Sequence, residues 1–164
     1  MAMKLKIVKK LMIVGLCVGL AACATKNELG EDAAGVLNGV GIAQPGTLAE
    51  FKQVIGDNIL FDTNQTSVND TGKVLLQKQY AWLLQYNVTN IKIEGHADER
   101  GTRAYNIALG ARRASSVKSY LISLGFNASG ISTLSFGKER PISLCDNISC
   151  WSQNRRAVTI VMGK

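Results

Sequence analysis

The segment Ile91-Lys92-Ile93-Glu94-Gly95, followed after Thr102 by a long apolar stripe, most constrains how this chain folds. Apolar and polar residues alternate over 91–95, which predicts a strand. From about Thr102 to Leu124, the residues Ile107, Gly110, Ala114, Val117, Leu121 and Leu124 recur at spacings of three and four. That spacing puts them on one side of a helix, facing a core. Gly125 supplies a stop. A strand tied to a covering helix calls for a sheet with helices laid on it.

Other segments complete such a sheet. Asn58-Ile59-Leu60-Phe61 reads as a first strand, Ile131 to Phe136 as a third, and Ala157 to Met162 as a fourth. A helix capped by Asp70 or Thr71 runs to about Gln85, with Val74, Leu75, Tyr80, Leu83 and Leu84 on its buried face. Leu48 to Ile55 reads as a short helix or as a lead-in to a strand. The expected order is β-α-β-α-β-β over roughly 110 residues. This is an α+β class, with a small mixed sheet and helices packed on one face.

The N-terminal stretch follows other rules. Met1 to Lys10 carries Lys4, Lys6, Lys9 and Lys10 and no acid, and Leu11 to Leu20 is apolar. A basic start, a short apolar core and small residues at a cut site describe a secretory signal. A membrane span needs roughly 20 apolar residues, more than this core offers. Leu20-Ala21-Ala22-Cys23 resembles the lipobox of bacterial lipoproteins, which implies cleavage before Cys23 and acylation of its thiol. By the same resemblance, Ala24 in place of Asp implies sorting to the outer membrane. The expected organisation is a lipoprotein signal peptide at 1–22, a lipidated flexible tether at 23–46, and a folded domain at 47–164. Removing residues 1–22 leaves 142 residues and lowers the formal charge from +7 to +3. A case for nucleic acid as a partner, built on net charge, then loses most of its force.

Four cysteines are present. Cys17 lies in the signal and Cys23 is the lipid site. Cys145 and Cys150 stand five apart, and in an oxidising compartment they can close a small loop as a disulfide. Two free thiols, or half of a metal site, are the alternatives. No second Cys pair or nearby His completes a zinc set, so neither a metal nor a cofactor is expected.

The chemistry gathers between the second strand and the long helix. This loop carries His96, Asp98, Glu99 and Arg100, and the helix adds Asn106, Leu109 and Arg113 on one face. An acid and an arginine on one rim suit a zwitterion: the carboxylate accepts from an ammonium, and the guanidinium forks onto a carboxylate. The plainer reading has Asp98 capping the helix at Thr102 or pairing with Arg100. His96, the single histidine, is expected to hydrogen-bond within the loop, and Arg112 to be a surface charge. Trp82 and Trp151 are expected to pack, Trp151 against the cysteine loop.

Gly95-His96-Ala97-Asp98-Glu99-Arg100-Gly101-Thr102, then Tyr105-Asn106, Leu109-Gly110 and Arg112-Arg113-Ala114, resembles the core motif of the OmpA-like peptidoglycan-binding domain family. The His-Ala-Asp-Glu-Arg wording resembles its peptidoglycan-associated lipoprotein branch. The likeness continues through Ser135-Phe136-Gly137-Lys138-Glu139-Arg140-Pro141 and Asn154-Arg155-Arg156-Ala157-Val158. It implies an OmpA-like fold and a non-catalytic protein of the outer membrane that faces the periplasm. Its partners would be peptidoglycan, the membrane through the lipid, and periplasmic Tol proteins, a TolB-like propeller and a TolA-like protein. The implied ligand is the diaminopimelate of the stem peptide. Asp98 would take its ammonium and Arg113 its carboxylate. Asn106 and Leu109 would line the groove, Phe61 and Asp62 would wall it, and Arg156 would help hold Asp98. Arg113→Ala would then weaken wall retention while the fold survives.

Two departures stand out. Thr102-Arg103 replaces the Pro-Glu common in that branch, and the Cys145–Cys150 pair is not general to it. A rival function, a metal-assisted wall hydrolase using Glu94, His96 and Asp98, has too few histidines. A second alternative keeps wall anchoring but places it outside the Tol system.

Overall fold

The computed structural model describes residues 43–163. The expected signal peptide, the lipid on Cys23 and the tether up to residue 42 lie outside the described residues. Thr47 opens the first element: its side chain accepts from the Glu50 N–H and caps α1 (Leu48–Glu50). A π-helical turn, Phe51–Gly56, follows and buries Phe51. Next come β1 (Asn58–Leu60), α2 (Asp70–Gln85), β2 (Ile91–His96) and α3 (Arg103–Ser123). A 3-10 turn at Ala128–Gly130 leads into β3 (Ile131–Gly137), then α4 (Ile148–Asn154) and β4 (Arg156–Val161).

The sheet order is β1-β4-β2-β3. β4 runs antiparallel to both neighbours, and β2 and β3 are parallel. Parallel neighbours need a crossover, and α3 supplies it. Ile59, Ile93 and Ala157 point from the sheet into one core with Leu76, Trp82 and Leu83 of α2 and Ala114, Val117 and Leu121 of α3. Each large side chain there contributes about 1.5–3 kcal/mol of burial.

The α+β class stands, with three departures in detail. α4 was not expected. It breaks the β-α-β-α-β-β order by inserting a helix before the last strand. Asn69, rather than Asp70 or Thr71, caps α2 by accepting from the Gly72 N–H. The buried face of α2 keeps Leu83, with Leu75 and Tyr80 half-buried against the core, but Val74 and Leu84 are exposed and Leu76 and Trp82 are buried in their stead. A polar residue, Gln79, completes that face. It is fully buried, donates to the Gly56 carbonyl at 2.7 Å and accepts from the Thr159 hydroxyl at 2.8 Å.

Candidate functional site

Gly95 and Gly110 bring β2 and α3 together so closely that only hydrogen fits between them. The strand end and the helix start therefore share one short loop. Gly101 takes a left-handed conformation (φ +83°), and the Thr102 hydroxyl accepts from the Tyr105 N–H to start α3. Lys138 ties this loop to β3 by donating to the Glu99 and Gly101 carbonyls at 3.0 and 2.8 Å. Arg103, which departs from the family's usual charge, pairs with Glu139 at 3.0 Å on the surface. The loop faces the turn after β1 across a groove of about 320 Å³. Thr63 and Asn64 line one side; Asp98, Arg100, Asn106, Leu109 and Arg113 line the other.

Arg113 is fully buried. Its guanidinium donates to the carbonyls of Gln65 (3.0 Å), His96 (2.8 Å) and Asp62 (3.3 Å), and lies 5.2 Å from the Phe61 ring centroid. Three of its five N–H groups are thus spent on backbone. Burial pulls its pKa down to about 10, partly offset by Asp98, so it stays charged at neutral pH.

Asp98 is also nearly buried, and both its oxygens are engaged. Arg100 grips it bidentately, Nε to Oδ1 at 3.2 Å and Nη2 to Oδ2 at 2.8 Å, and the Arg100 amide adds a contact at 3.3 Å. Arg155 donates to Oδ2 at 3.4 Å from the buried side. Burial pushes this carboxyl up, but the hydrogen bonds from Arg100, then Arg155, outweigh it and hold it below the usual carboxylate value. The groove therefore holds a charged acid, paired with Arg100 and Arg155, and a charged arginine.

The structure brings Asp98, Asn106, Leu109 and Arg113 together, as the sequence predicts. Asn106 does more than line the groove: its Nδ2 donates to the Arg100 carbonyl at 2.7 Å and fixes the loop. Two assignments need correction. Arg156 does not reach Asp98; it donates to the Asn154 and Arg140 carbonyls, and Arg155 is the residue that holds Asp98. Phe61 and Asp62 do not wall the groove with their side chains. Phe61 is buried beside Arg113, Asp62 offers its carbonyl, and Thr63 and Asn64 form the wall. Asp98 does pair with Arg100, the plainer of the two readings, and Thr102 caps α3 with its own hydroxyl. Cys145 and Cys150 are joined by a disulfide. Trp151, next to it, donates to Glu99 at 3.0 Å and carries the Arg100 guanidinium 4.2 Å above its ring.

His96 does not hydrogen-bond within the loop as expected. Its ring is buried and stacked on Phe136 at 5.6 Å, and its Nδ1 has no partner. Burial first, then Arg156 and Arg140, pull its pKa from 6.5 down to about 4. Folded and unfolded chains are both neutral here above about pH 6.5. As pH falls, the unfolded chain takes a proton that the folded one refuses until about pH 4. Stability should drop across that window by up to about 3 kcal/mol. The imidazole proton resonance, unambiguous for a single histidine, should titrate near pH 4; a midpoint near 6.5 sinks this account. Among the described residues, Glu94, His96 and Asp98 do not converge as a metal-sized group.

Comparison with known proteins places these features. The OmpA family model matches residues 60–155. The chain is 51% identical to the peptidoglycan-associated lipoprotein of Rhizobium meliloti (strain 1021) over 148 residues, covering 90% of this chain and 84% of the relative. It is 37% identical to the protein of that name from Haemophilus influenzae over 153 residues, covering 93% and 97%. Among solved structures, the peptidoglycan-associated lipoprotein from Burkholderia pseudomallei superposes with a TM-score of 0.62 at 38% identity, covering 65% of this chain and 90% of that one. The C-terminal domain of Helicobacter pylori MotB, at 21% identity and a TM-score of 0.59, covers 66% of this chain and 85% of its own and shares the fold.

Proposed function

We propose a function from one premise: the chain belongs to the OmpA family, with the peptidoglycan-associated lipoproteins as its relatives. In this reading the domain binds peptidoglycan non-covalently and without catalysis, and anchors the outer membrane to the wall. The ligand is the stem peptide. Asp98 takes the ammonium of diaminopimelate, the two uncommitted N–H groups of Arg113 take its carboxylate, and Asn106 and Leu109 line its path. A lipid on Cys23, after removal of residues 1–22, holds the other end in the membrane through the tether at 23–46. The domain at 47–164 then works in the periplasm. The names of the relatives support the association with peptidoglycan, and a place beside periplasmic Tol proteins in envelope integrity and cell division rests on the resemblance carried by His96–Arg100.

One observation carries the wall-binding reading: a buried carboxylate and a buried guanidinium meet on a single groove between two loops. Asp98→Asn keeps size and removes the charge. We expect it to weaken retention on isolated sacculi by about 2 kcal/mol, roughly thirtyfold in Kd, with the circular dichroism of the fold kept and the unfolding midpoint lowered by the lost ion pairs with Arg100 and Arg155. Undiminished retention would mean that Asp98 is not the ammonium seat.

A further inference from the structure

The ammonium seat is already filled. Arg100 places a planar cation on both oxygens of Asp98, at 3.2 and 2.8 Å. Its side chain is 43% exposed whereas that of Asp98 is 11% exposed, so Arg100 covers the carboxylate from the solvent side. We propose that Arg100 is a latch: it occupies Asp98 in the free domain and must swing off before an ammonium can dock. The proposal rests on the reading that Asp98 receives the ammonium.

Three features fit a side chain built to leave. The backbone of Arg100 is fixed, since Asn106 holds its carbonyl at 2.7 Å, so only the side chain has to move. Asp98 is not orphaned when Arg100 departs, because buried Arg155 keeps its own contact at 3.4 Å. A second seat is prepared next to the first. The guanidinium already lies 4.2 Å over Trp151, and Trp151 holds the Glu99 carboxylate at 3.0 Å. A small rotation over the indole carries Arg100 from Asp98 towards Glu99, one acid exchanged for another. The Cys145–Cys150 disulfide closes the turn that presents Trp151 and so keeps this seat beside the groove.

A latch and a support have opposite signatures. A latch competes with the ligand, so removing it tightens binding. A support orients Asp98, so removing it weakens binding. Arg100→Ala can be compared with the parent by calorimetric titration with the tripeptide L-alanyl-D-isoglutaminyl-meso-diaminopimelate. This probe has no net charge, which removes long-range attraction as an explanation. We expect Arg100→Ala to bind about two- to fivefold more tightly, the range set by an ion pair whose guanidinium is open to solvent. Equal or weaker binding overturns the latch. Asp98→Asn, run alongside, separates the two ideas. If it loses binding while Arg100→Ala gains nothing, only the latch falls. If it binds like the parent, the ammonium seat falls and the latch with it.

Discussion

Arg113→Ala is expected to destabilise the domain by about 3–5 kcal/mol, before any effect on binding is read. The side chain is fully buried and joins α3 to two other segments: the turn after β1 through Asp62 and Gln65, and the end of β2 through His96. Alanine leaves those carbonyls without their donor. An unsatisfied buried polar group costs about 1–3 kcal/mol. It also leaves a void beside Phe61. One term runs the other way. Burial already lowers the pKa of Arg113 to about 10, so removing the charge recovers some desolvation cost. The net effect stays large against a typical total of about 5–15 kcal/mol. Urea unfolding should show a lower midpoint with an unchanged slope. A loss below about 1 kcal/mol would mean that the groove holds itself without Arg113. A loss of that size makes wall retention by this variant report stability as well as binding. Asp98→Asn is the cleaner probe of the site.

Arg113 also shows where a sequence stops being legible. It lies at i+4 from Leu109 and i+7 from Asn106, which line the groove, and that much follows from helical spacing. Its charge suggests solvent, yet it is buried because three carbonyls, distant in sequence, converge on it. Gln79 is hidden in the same way, as a polar residue at a core position of α2. Apolar periodicity cannot report either. It did report α3, predicted from Thr102 to Leu124 and found at Arg103–Ser123 with Thr102 as its cap, and all four strands.

The Arg155–Arg156 error has a related cause. Side chains alternate along a strand, so the choice between neighbours depends on register. Ala157 pairs with Ile59 and Gly95, which fixes it on the helix-covered face. Arg156 then falls on the opposite face, and Arg155, just before the strand, turns to Asp98. No single-chain pattern states that register. α4 escaped for want of length: seven residues give too few turns for a stripe, and its cap, Asn147, sits among polar residues that read as loop. The Arg100 latch was open to view as a neighbouring acid and base. Only the distances show that Arg100 engages both oxygens of Asp98.

Gly95→Ala should have the largest effect of all, although it removes nothing. A methyl at Gly95 would sit 1.9 Å from the Gly110 carbonyl oxygen and 2.6 Å from its carbon. Those atoms belong to the backbone of α3 and cannot rotate aside. Relief requires moving the helix off the sheet by more than about 1 Å, given ordinary contacts near 3.5 Å. Such a shift would reach Ser135, whose hydroxyl donates to the Ile107 carbonyl at 2.7 Å, and Arg113 one turn further on. Overpacking usually costs 1–3 kcal/mol; a clash of backbone against backbone belongs at or above the top of that range, so at least about 3 kcal/mol is expected. Gly101→Ala is the matched control. Its left-handed φ of +83° strains alanine, but the nearest atom would be 3.6 Å away. That strain costs about 1–2 kcal/mol. Thermal unfolding of the two variants should therefore separate them clearly, with Gly95→Ala far lower or already unfolded. If the two melt together, the approach of β2 to α3 is looser than the geometry requires, and the groove between Asp98 and Arg113 is not set by that seam.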